Sequence, residues 1–218
     1  MLKCATKQEN ETLDRLTFLF RAGSEILFTL VGGAACREYG LRRPTKDLDF
    51  VMTPYPLAME ILSTSGAFDL VVDDCPDPTG RTCTQKYTKT GVLVDFLTGG
   101  IRITDHALLG SSEYSDPLPI PMPSGFGDVA PLNTLIAMKV GAITSGLDTR
   151  ALGATCGGRE PEEVQQDIDD VKQLISVCHL PRNLELGNAS VQRDYEKIYD
   201  GDSFIPELLG LVRRPLSE

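Results

Sequence analysis

The sequence predicts an α/β (α+β) fold in which helices flank a small, mixed, open β-sheet and a C-terminal helical region follows. Short apolar runs alternate with amphipathic helical patterns over roughly the first hundred residues, as in a sheet with crossing helices. The composition then turns rich in Pro, Ser and Gly, and only helical periodicity comes after it. We therefore predict two domains, residues 1–125 with the sheet and residues 126–218 with the helical region.

The elements of the first domain are predicted from the period of its apolar residues. Strands are indicated by β-branched and aromatic residues between turn signals, and helices by apolar positions on one face. Helices are predicted at Asn10–Ala22, Ala34–Tyr39 and Pro56–Ser65. Strands are predicted at Ile26–Val31, Asp47–Met52 and Phe68–Val72, with a hairpin over Arg81–Lys89 and Gly91–Leu97.

The second domain follows a stretch that is rich in Pro, Ser and Gly. This stretch, Ser111–Asp128, is predicted to be a loop or crossover in which Pro117–Met122 can add a short edge strand. Two amphipathic helices are predicted after it, at Pro131–Ser145 and Glu162–Cys178. A Gly-rich linker, Gly146–Glu160, is expected between them.

Composition argues against several classes of protein. A net charge of −10 and a pI near 4.7 argue against a broad electrostatic contact with duplex DNA or RNA. Six cysteines without any C-x-x-C spacing, and only two histidines, indicate reduced thiols and no zinc site. No apolar run reaches membrane-spanning length, and the polar N-terminus has no signal-peptide pattern. We therefore expect a cytoplasmic protein with no membrane partner.

Asp47 and Asp49 are the most informative residues of the sequence. They lie one residue apart on a predicted strand, so both side chains point to one face while Leu48 and Phe50 point to the other. Two like charges this close repel each other, and burying them without a counter-charge is costly. Mg²⁺ relieves the repulsion, and it typically binds one or two carboxylates together with substrate phosphates. The pair therefore predicts a divalent metal site.

Asp95 interrupts an apolar, β-branched run, Val92–Leu97, that is typical of a buried strand. If this strand neighbours the strand of Asp47, Asp95 completes a cluster of three carboxylates. Such a cluster can hold two metal ions about 4 Å apart, which clamp the attacking and leaving oxygens of an in-line phosphoryl displacement. Upstream, Gly32-Gly33 is predicted to turn into a helix and to let backbone N–H groups approach a polyphosphate closely.

Each of these features also has a purely structural interpretation. The two aspartates of the pair can cap a turn, and the two glycines can form an ordinary turn between a strand and a helix. Asp95 can pair with a nearby Arg or Lys. The structural interpretation needs three coincidences, so the metal site is favoured.

The motifs together resemble the DNA polymerase β-like nucleotidyltransferase superfamily. They are Gly32-Gly33, then thirteen residues, then Asp47-Leu48-Asp49, then the lone Asp95 in an apolar strand. The flanking residues Arg43-Pro44-Thr45-Lys46 are similar to the minimal, toxin-like branch, which includes nucleotidyltransferases of bacterial abortive-infection systems. The resemblance covers roughly residues 25–180 and implies a nucleotidyltransferase-like fold, with residues 1–125 as the catalytic domain.

The resemblance implies an enzyme that moves a nucleoside monophosphate from an NTP, such as ATP, to an acceptor hydroxyl or amine, with release of pyrophosphate. Asp47 and Asp49 would bind two Mg²⁺ or Mn²⁺ ions, and Asp95 would bind the catalytic ion and help to deprotonate the acceptor. The residues expected to contact the nucleotide are Gly32, Gly33, Arg43, Thr45, Lys139 and Asp167.

Lys139 falls inside the apolar stripe of its predicted helix, and Asp167 lies at the edge of the apolar face of the next helix. A lysine in such a stripe must either reach solvent or meet a negative partner. Two interpretations of Lys139 follow from the sequence. In the first it forms a structural pair with Asp167, and in the second it contacts the nucleotide phosphates. The resemblance favours the phosphate contact, although Gln165-Gln166 stand where the toxin-like branch usually carries a basic residue.

Two function hypotheses of different classes follow. The first is the nucleotidyltransferase, with an NTP donor, no duplex DNA, and a protein, a small molecule or tRNA as acceptor. The second is a catalytically silent nucleotide-binding or protein-interaction module on the same fold. Three mutually repelling acids argue against the second, because a silent module has no need to keep them.

Overall fold

The computed structural model describes residues 2–22, 26–71, 82–98, 102–103, 118–119, 123, 125–151 and 161–201. The chain divides into two compact units. The first comprises Met1–Ile101 with Pro119–Pro131, and the second Arg102–Leu118 with Leu132–Glu218.

A mixed, open sheet of six strands lies in the first unit. The strands are β1 (Leu27–Val31), β2 (Asp47–Thr53), β3 (Phe68–Leu70), β4 (Thr82–Tyr87), β5 (Leu93–Thr98) and β8 (Phe126–Val129). They are arranged in the order β3-β4-β5-β2-β1-β8. The pairs β1–β8 and β2–β5 are parallel, and the other neighbours are antiparallel. The helices of this unit are α1 (Lys7–Arg21), α2 (Gly32–Glu38) and α3 (Tyr55–Ser65). The predicted fold class is confirmed.

Aromatic rings on one face of this sheet form the centre of its core. Phe20 of α1 packs edge-on against Phe28 of β1, with ring centroids 5.3 Å apart. Phe28 packs in turn against Phe50 of β2, and Phe50 stacks on Phe96 of β5, at 5.5 and 6.4 Å. Because side chains alternate along a strand, the residues next to Phe50 and Phe96 point to the opposite face. This alternation determines where the acidic residues lie.

Helices α4 (Leu132–Ala151), α5 (Pro161–Cys178) and α6 (Ala189–Asp200) form the described helical part of the second unit. Their buried apolar residues lie at helical spacing, so the packing of amphipathic faces holds the three helices together. These residues are Leu135, Ile136, Val140, Ile143, Val164, Ile168, Val171, Leu174, Val191, Tyr195 and Ile198. Within the described part of the chain, no helix is both long enough and apolar enough to cross a membrane.

Several predicted boundaries differ from the structure. Helix α1 begins three residues before the predicted Asn10, because Thr6 and Glu9 form a capping box at its N-terminus. Helix α2 begins at Gly32 instead of Ala34, so the glycine turn is its first turn. Helix α4 continues to Ala151, beyond the predicted end at Ser145 and into the predicted linker.

The largest correction concerns the predicted loop Ser111–Asp128. Its last residues belong to β8, which pairs with β1 in the first unit, so the predicted division at residues 125 and 126 stands at the start of a sheet strand. Within the predicted short strand Pro117–Met122, the residues Leu118–Pro119 form β7, which pairs with β6 (Arg102–Ile103) in a separate two-stranded sheet. Some residues of the predicted elements lie outside the described residues, namely 72, 81, 111–117, 120–122, 124 and 152–160.

Candidate metal centre

Three aspartates meet on the face of the sheet that is opposite the aromatic core. Strands β2 and β5 are parallel neighbours, and their register places Asp49 directly beside Asp95. Asp47 precedes Asp49 by two residues on β2, so it shares the same face. Leu48 and Phe50 are fully buried on the other face, as the alternation predicted.

The carboxylates of Asp47, Asp49 and Asp95 are close enough to share a cation. One ligand oxygen from each lies within 4.8 Å of the other two, and all three residues are half-buried. Three carboxylate oxygens without nitrogen or sulfur ligands form a donor set suited to a hard cation such as Mg²⁺ or Mn²⁺. The residues present therefore fit the metal that the sequence predicts.

Gly32 lies against the carboxylate of Asp49. Its φ of +64° is in the left-handed region, and a Cβ atom built on it would be 1.8 Å from Oδ2 of Asp49. No side chain larger than hydrogen fits there without displacing the aspartate. The turn that opens α2 therefore brings bare backbone next to the acidic cluster.

Gly33 lies against Thr45 and Arg43, two more of the residues predicted to contact the nucleotide. A Cβ on Gly33 would be 2.5 Å from Cγ2 of Thr45 and 3.5 Å from Nη2 of Arg43. The Thr45 hydroxyl oxygen is buried and has no hydrogen-bond partner among the described residues. Because buried polar groups are normally paired, this hydroxyl is available to a bound ligand. Since α2 has only seven residues, the prediction that a polyphosphate binds here rests on close approach of the backbone and not on a helix dipole.

Lys139 and Asp167 belong to the second unit, where they are in direct contact. The ammonium of Lys139 donates to Oδ1 of Asp167 and to Oδ2 of Asp170, at 2.7 Å each. The three residues are 7%, 5% and 3% exposed, so the cluster is buried. The structural pair that the sequence left open is therefore present, with a second acid added. The contact of Lys139 with nucleotide phosphates stays a prediction, and so does the place of Asp167 in the nucleotide site.

Asp170 was not identified from the sequence. It follows Asp167 by three residues on α5, a spacing that places the two side chains on neighbouring parts of one helix surface. That spacing was a usable signal, but α5 also carries acids at Glu162, Glu163 and Asp169, all exposed. The periodicity of the helix alone does not predict which of its acids forms an ion pair with a buried lysine.

Comparisons with known proteins add little to this geometry. No protein-family model and no curated protein matches the chain. A Helicobacter pylori protein provisionally described as a nucleotidyltransferase is similar at a TM-score of 0.33 and 12% identity, over 97% of this chain and 100% of that one. JHP933 from Helicobacter pylori is similar at a TM-score of 0.33 and 13% identity, over 95% of each chain. These scores are too low to carry a functional argument.

Proposed function

We propose that this chain is a metal-dependent nucleotidyltransferase. It would move a nucleoside monophosphate from an NTP to an acceptor hydroxyl or amine and release pyrophosphate. The observation that carries the proposal is the meeting of three carboxylates from two neighbouring strands, Asp47, Asp49 and Asp95, beside the glycine turn at Gly32.

Asp47 and Asp49 would hold two divalent ions, and Asp95 would hold the ion nearer the acceptor. When bound, such ions neutralise charge on the phosphates and lower the pKa of an attacking group. The remaining work of the site is binding and orientation, which supply much of the catalysis of phosphoryl transfer without a covalent intermediate.

The donor phosphates would lie at the turn of Gly32 and Gly33, where neither residue has a side chain of its own to keep them from the backbone. The Arg43 guanidinium would supply positive charge and the Thr45 hydroxyl a hydrogen bond. The acceptor oxygen or nitrogen would form a bond to the α-phosphorus while the bond from that phosphorus to the pyrophosphate oxygen breaks. Pyrophosphate leaves with the electron pair, and the acceptor's proton passes to Asp95 directly or through a water.

The proposal is tested by incubating the protein with each of the four labelled NTPs and Mg²⁺ or Mn²⁺, alone and in a cell lysate. We expect a labelled macromolecule or small product with at least one NTP, and none with the variant Asp49→Asn. The kind of molecule that carries the label, a protein, a small molecule or tRNA, identifies the class of acceptor. Magnesium-dependent NTP binding without any transfer would instead support the catalytically silent module.

A further inference from the structure

Glu9 of α1 connects α1 to the helix that carries the glycine turn. Its Oε1 accepts a hydrogen bond from Nη2 of Arg37, in the last turn of α2, at 2.5 Å. Its Oε2 accepts from the backbone N–H of Thr6 at 2.6 Å, and its own N–H donates to the Thr6 hydroxyl at 3.2 Å. Glu9 is only 7% exposed. The Glu9 carboxylate therefore caps the N-terminus of α1 and also binds α2 through Arg37.

The two residues after Arg37 are also held from outside α2. The carboxylate of Glu38 accepts from the backbone N–H groups of Lys3 and Cys4, at 2.9 and 2.7 Å. The hydroxyl of Tyr39 donates to the carbonyl of Ala130 at 3.0 Å. The C-terminal end of α2 is therefore attached to three separate segments of the first unit.

These attachments matter because α2 is too short to hold its own position. A seven-residue helix is unstable in isolation, so tertiary contacts must determine where it lies. Arg37 follows Gly33 by four residues, about one helical turn or 6 Å. A shift of the guanidinium would thus move the glycine turn. The turn is in close contact with the side chains of Asp49 and Thr45, so a small movement would disturb both contacts.

We propose that Glu9 is a positioning residue for the donor site. Through Arg37 it fixes α2, and through α2 it holds Gly32 and Gly33 where the donor phosphates bind. The inference rests on the proposed function, since it concerns the same donor. It adds that the affinity for the nucleotide depends on an ion pair that touches neither the metal-binding acids nor the nucleotide.

Calorimetric titration with Mg²⁺ and each of the four NTPs tests the inference without a known acceptor. The variant Glu9→Gln keeps the shape of the side chain and removes its charge. We expect the Kd for the preferred NTP to rise about tenfold. A rise of this size corresponds to weakening one charge-assisted hydrogen bond between the glycine turn and the donor phosphates. Arg37→Gln breaks the same ion pair from the other side and should raise the Kd similarly, which covers the case that Glu9→Gln does not fold.

Two control variants separate positioning from a general loss of stability. Thr6→Ala removes the hydroxyl from the capping box and lowers stability, but it leaves the Glu9–Arg37 pair in place. Glu11→Gln breaks the ion pair between Glu11 of α1 and Lys89 of the β4–β5 turn, which does not involve α2. Both variants should keep the Kd of the wild type at a temperature where all the proteins are folded.

The outcomes are distinct. A raised Kd in Glu9→Gln and Arg37→Gln, with wild-type values in both controls, supports the positioning role. An unchanged Kd in Glu9→Gln or Arg37→Gln, or an equal rise in Thr6→Ala, overturns it while magnesium-dependent NTP binding by the wild type still stands. If the wild type binds no NTP, or if Asp49→Asn binds NTP as well as the wild type does, the proposed donor site itself is wrong and the inference fails with it.

Discussion

Gly32 and Asp49 are in contact where the glycine turn meets the acidic cluster. A Cβ atom on Gly32 would be 1.8 Å from Oδ2 of Asp49, and the glycine backbone has a φ of +64°. The aspartate side chain thus occupies the space that any other residue at position 32 would need. This contact joins the two motifs, which are separated by thirteen residues in the sequence, into one site.

The variant Gly32→Ala should bind metal more weakly and lose transfer activity. The added methyl group must displace the Asp49 carboxylate, which shifts a ligand oxygen of the candidate metal centre. The left-handed backbone conformation adds about 1–2 kcal/mol of strain. Binding of Mn²⁺, followed by calorimetry, should weaken by at least about tenfold, because one of three ligands moves.

Gly66→Ala is the matched control for this variant. Gly66 ends α3 with a φ of +60°, and a Cβ there would meet nothing within 4 Å. It therefore carries the same backbone strain without the contact to an acid. Equal Mn²⁺ affinity in the two variants would contradict the importance of the Gly32–Asp49 contact.

Without metal, the variant Asp95→Asn should be more stable than the wild type. With metal bound, it should gain less stability than the wild type does. Like charges at this separation repel by between about 1 and 4 kcal/mol, depending on local screening, and the amide removes that repulsion. Saturating Mg²⁺ should stabilise the wild type, by about 2.7 kcal/mol at a hundredfold excess over Kd, and should stabilise the variant less.

Urea unfolding with EDTA and with excess Mg²⁺ measures both effects. Asp14→Asn, at an exposed position of α1, makes the same change of charge away from the cluster, so Mg²⁺ should stabilise this variant as much as it stabilises the wild type. If the wild type is instead more stable than Asp95→Asn in EDTA, then the charge of Asp95 stabilises the metal-free fold. That result would support the interpretation that Asp95 pairs with a nearby Arg or Lys.

Local patterns predicted the strands that carry the acids, because a side-chain period of two is independent of the rest of the fold. Asp47, Asp49 and Asp95 were therefore identified, and the parallel pairing of β2 and β5 then brought them together. The start of α1 was also locally encoded, in the spacing of Thr6 and Glu9, although the apolar periodicity alone missed it.

The features that escaped prediction depend on partners far along the chain. Strand β8 lies in a stretch whose composition indicates a loop, and it is a strand because β1 offers it a parallel edge. The pair of Glu9 and Arg37 joins residues 28 positions apart, and no local pattern connects them. Pairing between distant residues is decided by the tertiary structure, which periodicity does not report.

The stability that Glu9 contributes should depend on pH with a defined sign. Burial alone would raise the pKa of its carboxyl group, but the hydrogen bonds from Thr6 and Arg37 outweigh burial and leave the pKa below its ordinary value of 4.5. The contribution is then fully present above the unfolded-state pKa and is lost as the pH falls through the lower, folded-state pKa.

Unfolding free energies of the wild type and of Glu9→Gln should therefore differ most near neutral pH. We expect a difference on the order of 1 kcal/mol, since the amide still accepts a neutral hydrogen bond. The difference should shrink as the pH falls from above 4.5, the ordinary pKa of a glutamate, through the lower, folded-state pKa. A difference that is constant over this range would show that the charge of Glu9 contributes nothing to the fold.

Removal of the Lys139 charge separates its structural role from its predicted role at the phosphates. Lys139→Met keeps the length of the side chain and leaves the buried carboxylates of Asp167 and Asp170 without their shared ammonium. We expect a loss of about 3–5 kcal/mol in the free energy of unfolding, as for other buried ion pairs that lose one partner. Lys172→Met, at an exposed position of α5, is the control and should cost less than about 0.5 kcal/mol.

The triple variant Lys139→Met, Asp167→Asn, Asp170→Asn should recover most of that stability, because no buried charge of the cluster is then left without a partner. Its affinity for Mg²⁺-NTP then decides the remaining question, since folding no longer differs. If Lys139 also contacts the phosphates, the triple variant should bind NTP more weakly than the wild type by about 1.5–3 kcal/mol, the worth of a hydrogen bond to a charged group. Wild-type affinity in a stable triple variant would restrict Lys139 to the helical unit and remove it, with Asp167, from the predicted nucleotide contacts.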